Sequence, residues 1–185
     1  MKKIYLAILI FIFAIGQHST LAGQSFTNKG KDFWTNFYRG NGVATSGIYH
    51  QMKIYIGGAS TGDSVKIAIA EGKPQQWVKT YWVPADSIVA SDTIPNQNIV
   101  GDGLYANSAI HITSRTANIV AYAHIYESAT SAAAILLPVP VWGQEHYVLS
   151  AKQYYSSSNY AAFHIVANHD STWVEISPSQ PTLGG

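Results

Sequence analysis

Three histidines sit in the middle of short, β-branched and aromatic runs: His111 in SAIHIT, His124 in NIVAYAHIYE and His164 in AAFHIV. Imidazole nitrogens on neighbouring strands are ready zinc ligands. Two ligands on one face of one strand must be two residues apart, because alternate side chains point to opposite faces. No H-x-H spacing occurs, so the histidines are expected on a half-buried aromatic face, hydrogen-bonded to neighbouring hydroxyls, with no metal site. In NIVAYAHIYE, His124 shares its face with Val120, Tyr122 and Tyr126. Glycoside hydrolysis needs two carboxylates about 5–10 Å apart. Most acidic residues, among them Asp63, Glu71, Asp86, Asp92, Asp102 and Asp170, fall in loops or turns; Glu127 and Glu145, one at each end of the apolar stretch, are the pair to examine. Their expected role is solvation of strand ends. There is no G-x-S-x-G nucleophile elbow, and GDG at 101–103 is too short to cradle a phosphate or calcium ion. Neither a catalytic residue nor a cofactor is expected.

One stretch has the chemistry of recognition. YYSSSNY, residues 154–160, joins two expected strands. Tyrosine offers broad amphipathic contact at low entropic cost, while serine and asparagine adapt their hydrogen bonds. Tyr154, Tyr155 and Tyr160 are the expected binding residues.

The elements that must position these groups are strands. Met52, Ile54 and Ile56 alternate with Gln51, Lys53 and Tyr55; Val65, Ile67 and Ile69 alternate with Ser64, Lys66 and Ala68. GGASTGD, residues 57–63, lies between them and is rich in turn formers, which predicts a β-hairpin. Further strands are expected at Gln76–Val83, Ser108–Thr113, Asn118–Glu127, Ala132–Pro138, His146–Gln153, Ala161–Asn168 and Thr172–Ser177. Pro84 to Asn107 reads as a long connection with one or two edge strands. SATSAAAILL favours helix by its alanines, but Pro138 and Pro140 enforce extension, and strand is preferred. The pattern predicts an all-β, antiparallel β-sandwich, jelly-roll-like or Ig-like. The chain stops just after a strand, so the domain is expected to be incomplete at its C-terminus.

Lys2 and Lys3 precede an apolar run of twelve residues, Ile4 to Ile15, and then Thr20-Leu21-Ala22. A span needs about 20 residues; a basic start, a shorter apolar stretch and a small-x-small site make a secretory signal peptide. Residues 1–22 are the expected leader, cut after Ala22. Residues 23–31 are a polar lead-in and 32–185 the sandwich, with no transmembrane segment after cleavage. Without Lys2 and Lys3, the eleven Lys+Arg fall to nine against ten Asp+Glu. Such a surface cannot answer a phosphate backbone, so no nucleic-acid partner is expected. The chain has no cysteine, which removes disulfides and thiolate metal sites. Charged residues make up only 11% against about 25% in ordinary domains, as suits strands with uncharged polar outer faces.

GKDFWTNF (30–37), SAIHITSRTANIVAYAHIYESATSAAAILLPVPVWGQEHYVLS (108–150) and AAFHIVANHDSTWVEISPS (161–179) together resemble the N-terminal domain of IgGFc-binding proteins, including large exported proteins of Bacteroidetes-type bacteria. The resemblance implies a β-rich extracellular module at the front of a longer protein, exported in the bacterial relatives by type IX secretion, with no established catalytic residues. A non-enzymatic, secreted or cell-surface module for binding or adhesion is therefore expected, its ligand a glycan or a host protein. A carbohydrate-active hydrolase and a structural spacer are the competing readings.

Overall fold

A computed structural model describes residues 27–38, 51–95, 99–101, 103–126, 131–149 and 162–179. Ten strands follow in order: β1 (Asp32–Thr35), β2 (Phe37–Tyr38), β3 (Gln51–Gly57), β4 (Asp63–Ile69), β5 (Trp77–Val83), β6 (Ile88–Ala90), β7 (Ile99–Val100), β8 (Ile110–Ser114), β9 (Val120–Tyr126) and β10 (Ser131–Ile135). A 3-10 turn, Val139–Val141, follows β10. The strands form two antiparallel four-stranded sheets, ordered β1-β8-β4-β5 and β10-β9-β3-β6, plus a small parallel pair of β2 with β7. Period-two alternation turns one face of each sheet inward. Phe33, Val65, Ile67, Ile69, Ile110 and Ile112 from the first sheet meet Met52, Ile54, Ile56, Ala121 and Ala123 from the second in one continuous core. That is the expected sandwich, with apolar inner faces packed together.

The pairing differs from expectation at one central point. β3 and β4 do not form a hairpin: β3 pairs with β9 and β6, and β4 with β5 and β8. Residues 58–62 instead carry the chain from one sheet to the other, with Gly58 at a left-handed φ of 79°. Alternation reveals that a strand has one buried face. It does not reveal which strand lies beside it. The true hairpin is β4–β5, closed by a turn in which Lys73 N–H donates to Ala70 O at 2.9 Å. The long connection contributes the short strands β6 and β7, and the alanine-rich segment is strand, as expected.

Three other expectations are corrected. Within the described parts of His146–Gln153, Ala161–Asn168 and Thr172–Ser177, no residue is in a strand. These segments alternate in sequence, but a strand exists only when its backbone groups find a partner, and among the described residues none pairs with them. Conversely β1, inside the segment DFWT, pairs with β8 from Asp32↔Thr113 to Thr35↔Ile110.

The two sheets are tied at one end by Asp63, which is 3% exposed. It opens β4, directly after the 58–62 crossover. Its carboxylate accepts from Ser114 Oγ at 2.6 Å, Ala117 N–H at 2.7 Å, Thr116 N–H at 2.8 Å, Ser64 N–H at 2.9 Å and Thr116 Oγ1 at 3.0 Å. Residues 115–119 form another crossover, from β8 in the first sheet to β9 in the second. Burial by itself raises the carboxyl, but the hydrogen bonds from Ser114, Ala117 and Thr116 outweigh it and hold it well below the usual carboxylate range. The charged form is thus the one the fold selects.

At the end of the same connection, Gly30 bridges Ile119 and lies against Pro138. A Cβ on Gly30 would overlap the proline ring, coming within 2.8 Å of its Cγ. The absence of a side chain lets the lead-in pass between Ile119 and the Leu-Leu-Pro segment after β10.

Two outcomes follow from these contacts. Asp63→Asn should cost at least about 2 kcal/mol in urea unfolding at neutral pH, since hydrogen bonds to a charged acceptor contribute roughly 1.5–3 kcal/mol. A depressed carboxyl stabilises above its unfolded value of about 3.9, and that contribution is lost as pH falls through the lower folded value. The gap between wild type and Asp63→Asn should therefore narrow as pH drops below about 4; a gap independent of pH would remove the charge from the explanation. Gly30→Ala should lower stability by about 1–3 kcal/mol through overpacking, with Pro138→Gly, which removes the Cβ that the new methyl meets, restoring part of the loss when the two are combined.

Candidate functional site

Because β9 lies between β10 and β3, the outward side chains of three strands fall into transverse rows. Ser131, Tyr126 and Gln51 make one row, Ala133, His124 and Lys53 the next, and Ile135, Tyr122, Tyr55 and Ala90 the third. Residues of one row lie directly opposite across the strands, close enough for side chains to interact. The sequence places aromatic and polar groups at these positions while Met52, Ile54, Ile56, Ala121 and Ala123 fill the other face.

His124 is the hub of this surface. Its Nε2 lies 2.8 Å from Ser131 Oγ. Its ring centroid is 5.0 Å from that of Tyr126 and 5.8 Å from that of Tyr55, tilted by 31° and 48°. Tyr126 donates its hydroxyl to Gln51 Oε1 at 3.2 Å. The expected role, an imidazole on an aromatic face bonded to a hydroxyl, is the one observed. Tyr122, Ile135 and Ile88 are exposed beside it. The result is a face of three tyrosines and a histidine, edged by Lys53, Gln51 and Ser131 and interspersed with aliphatic groups. It offers ring faces, amide and hydroxyl hydrogen bonds, and no carboxylate at any of these row positions.

The other two mid-strand histidines are not brought to it. His111 projects from β8 on the outer face of the opposite sheet, where it stacks on Trp34 with centroids 4.0 Å apart and planes 10° from parallel. Its Nε2 is 2.9 Å from Asp32 Oδ1, so its partner is a carboxylate rather than the expected hydroxyl. The pairing of β1 with β8 makes this contact, and β1 was the strand that alternation did not reveal. His164 stacks on Tyr38 at 5.9 Å, and partial burial lowers its imidazole below the ordinary value. Among the described residues, no three histidine, aspartate or glutamate side chains gather in a way that could hold a metal ion.

Of the carboxylate pair, Glu145 is exposed and Glu127 lies outside the described residues, as do Tyr154, Tyr155, Tyr160 and the cleavage site at Ala22. Sequence reasoning found Tyr122, His124 and Tyr126 as one face. It missed Tyr55, Lys53 and Gln51, whose membership depends on β3 lying beside β9. The period-two pattern of β3 did place these three on one side; only the neighbour was missing. No helix among the described residues is long and apolar enough to cross a membrane.

Residues 132–185 match the family model described as IgGFc binding protein. The match covers the end of the chain from Ala132 in β10 onward; the resembling stretches at 30–37 and 108–131 lie before it. Searches of curated proteins and of solved structures returned no match.

Proposed function

We propose that this chain is a non-catalytic binding module of the cell exterior, secreted or surface-held, that engages a glycan or a protein through the tyrosine–histidine face of the β10-β9-β3-β6 sheet. The observation that carries this reading is the set of aligned rows around His124. Tyr55 and Tyr126 are held by ring contacts with His124, and Tyr126 also by a hydrogen bond to Gln51, while Tyr122 stands exposed between Tyr55 and the edge strand β10. Aromatic groups already ordered before contact lose little entropy on binding, and tyrosine is prominent among residues that dominate interface energetics. The family match to binding proteins supports the same reading. Export through the leader 1–22, with cleavage after Ala22, belongs to this proposal, and so does a contribution from Tyr154, Tyr155 and Tyr160.

The test is binding of the purified chain without residues 1–22 to glycan and extracellular-protein arrays, followed by titration of a positive ligand. Tyr55→Ala and Tyr122→Ala should each weaken binding about tenfold, equivalent to about 1.4 kcal/mol, with the thermal transition nearly unchanged. Wild-type affinity in both would remove this face from the contact. Tyr154→Ala with Tyr155→Ala should weaken binding as well; unchanged affinity there would restrict contact to the sheet.

A further inference from the structure

The face built around His124 carries a cation that nothing neutralises. Lys53 is half-buried on β3, opposite His124, with Tyr55 and Tyr122 in the next row on one side and Gln51 and Tyr126 on the other. Other strand lysines find carboxylates: Lys66 Nζ lies 2.8 Å from Glu71 Oε1, and Lys79 Nζ lies 3.8 Å from Asp92 Oδ2. Asp92 belongs to the segment that runs on past β3 after β6, where Ser91 N–H donates to Ile54 O and Ile94 N–H to Met52 O. Its backbone passes alongside Lys53, yet its carboxylate is drawn to Lys79. Among the described residues Lys53 has no ion pair and no hydrogen bond. A partly covered ammonium without a counter-charge favours an incoming anion, because lower local dielectric strengthens their attraction.

The size of the face indicates what kind of ligand brings that anion. Three neighbouring strands and the run from Gln51 to Tyr55 bound a patch of about 10 by 13 Å. That is on the order of 130 Å², against roughly 800 Å² per partner in a stable protein–protein interface. A short oligosaccharide needs no more. We propose, resting on the binding role given to this face above, that its ligand is a short acidic glycan bearing a carboxylate or sulfate, with the anion held by Lys53 and a sugar ring over Tyr55 and Tyr122. The C–H bonds of a pyranose carry slight positive charge and meet the electron-rich faces of aromatic rings. Tyr55 and Tyr122 are directly opposite one another, and Tyr55 stands two residues from Lys53, about 7 Å along the strand, within reach of a substituent on the same or the adjoining sugar. Gln51 accepts from Tyr126 and Thr93 at Oε1, which leaves its Nε2 hydrogens for sugar hydroxyls.

The test pairs each acidic sugar with its uncharged parent: sialyllactose and sulfolactose against lactose, and an oligogalacturonate against its methyl ester, each titrated with the full chain at low salt. In at least one pair the acidic member should bind at least about tenfold tighter, as charge-assisted hydrogen bonds are the stronger kind. Lys53→Gln should bring the ratio of acidic to parent affinity close to one, and Lys53→Arg should keep it. Tyr55→Ala should weaken both members and leave the ratio. Parents that bind as tightly as their acids, or a preference that survives Lys53→Gln, would overturn the acidic ligand; if Tyr55→Ala still weakened both, the face itself would stand. No binding of any sugar, with a protein ligand lost in Tyr55→Ala, would overturn the glycan and keep the face. Wild-type affinity in Tyr55→Ala would overturn both.

Discussion

A single buried carboxylate holds the two halves of this sandwich in relation to each other. Among the described strands the chain passes between the two four-stranded sheets five times, and Asp63 stands where the change from β3 to β4 ends and reaches the connection that carries the change from β8 to β9. With no disulfide available in a chain lacking cysteine, crossovers of this kind need another tie. Five short hydrogen bonds to one carboxylate provide it, at the cost of keeping a charge buried. That cost is met because Ser64, Ser114, Thr116 and Ala117 all direct donors at the anion. The core alone is less particular: isoleucine and valine pack against many partners, whereas the Asp63 network admits only one relation between residues 63 and 114–117.

From that fixed relation the surface follows. Once the crossover after β3 sends β4 into the other sheet, β3 is free to lie beside β9. Only then do Tyr55, Lys53 and Gln51 come opposite Tyr122, His124 and Tyr126. A hairpin of β3 with β4 would have put Lys53 and Tyr55 next to Ser64, Lys66 and Ala68 and dispersed the aromatic face. The binding surface proposed for the chain is therefore a consequence of sheet assignment, one step removed from the tyrosines themselves.

The difference between what could be read from the residues and what could not has a physical basis. Alternation is local, so β3, β4, β5, β8 and β9 were legible as strands, and the two faces of β3, β4 and β9 with them. Pairing is non-local, so β3 was assigned to the wrong neighbour. Asp63 was legible as a turn former but not as a hub, because its partners lie some fifty residues away and no spacing links them. His124 was legible because its aromatic neighbour Tyr126 is on the same strand, while the Asp32 partner of His111 required β1. Gly30 shows why G-x-x-FW and the later Leu-Leu-Pro belong together: the missing Cβ makes room for Pro138. The strand-like segments after Trp142 carry the pattern without the partner, and pattern alone does not make a strand.

Amide hydrogen exchange at Thr116 and Ala117 is the most direct measurement of the tie between the sheets. Both residues lie in a surface connection, where amides ordinarily exchange through small local openings. If the Asp63 carboxylate holds them, they exchange as slowly as the β4 and β8 amides, and that protection disappears in Asp63→Ala while the strand amides keep theirs. Exchange of Thr116 and Ala117 at the rate of an open loop in the wild-type protein would contradict the role given to Asp63.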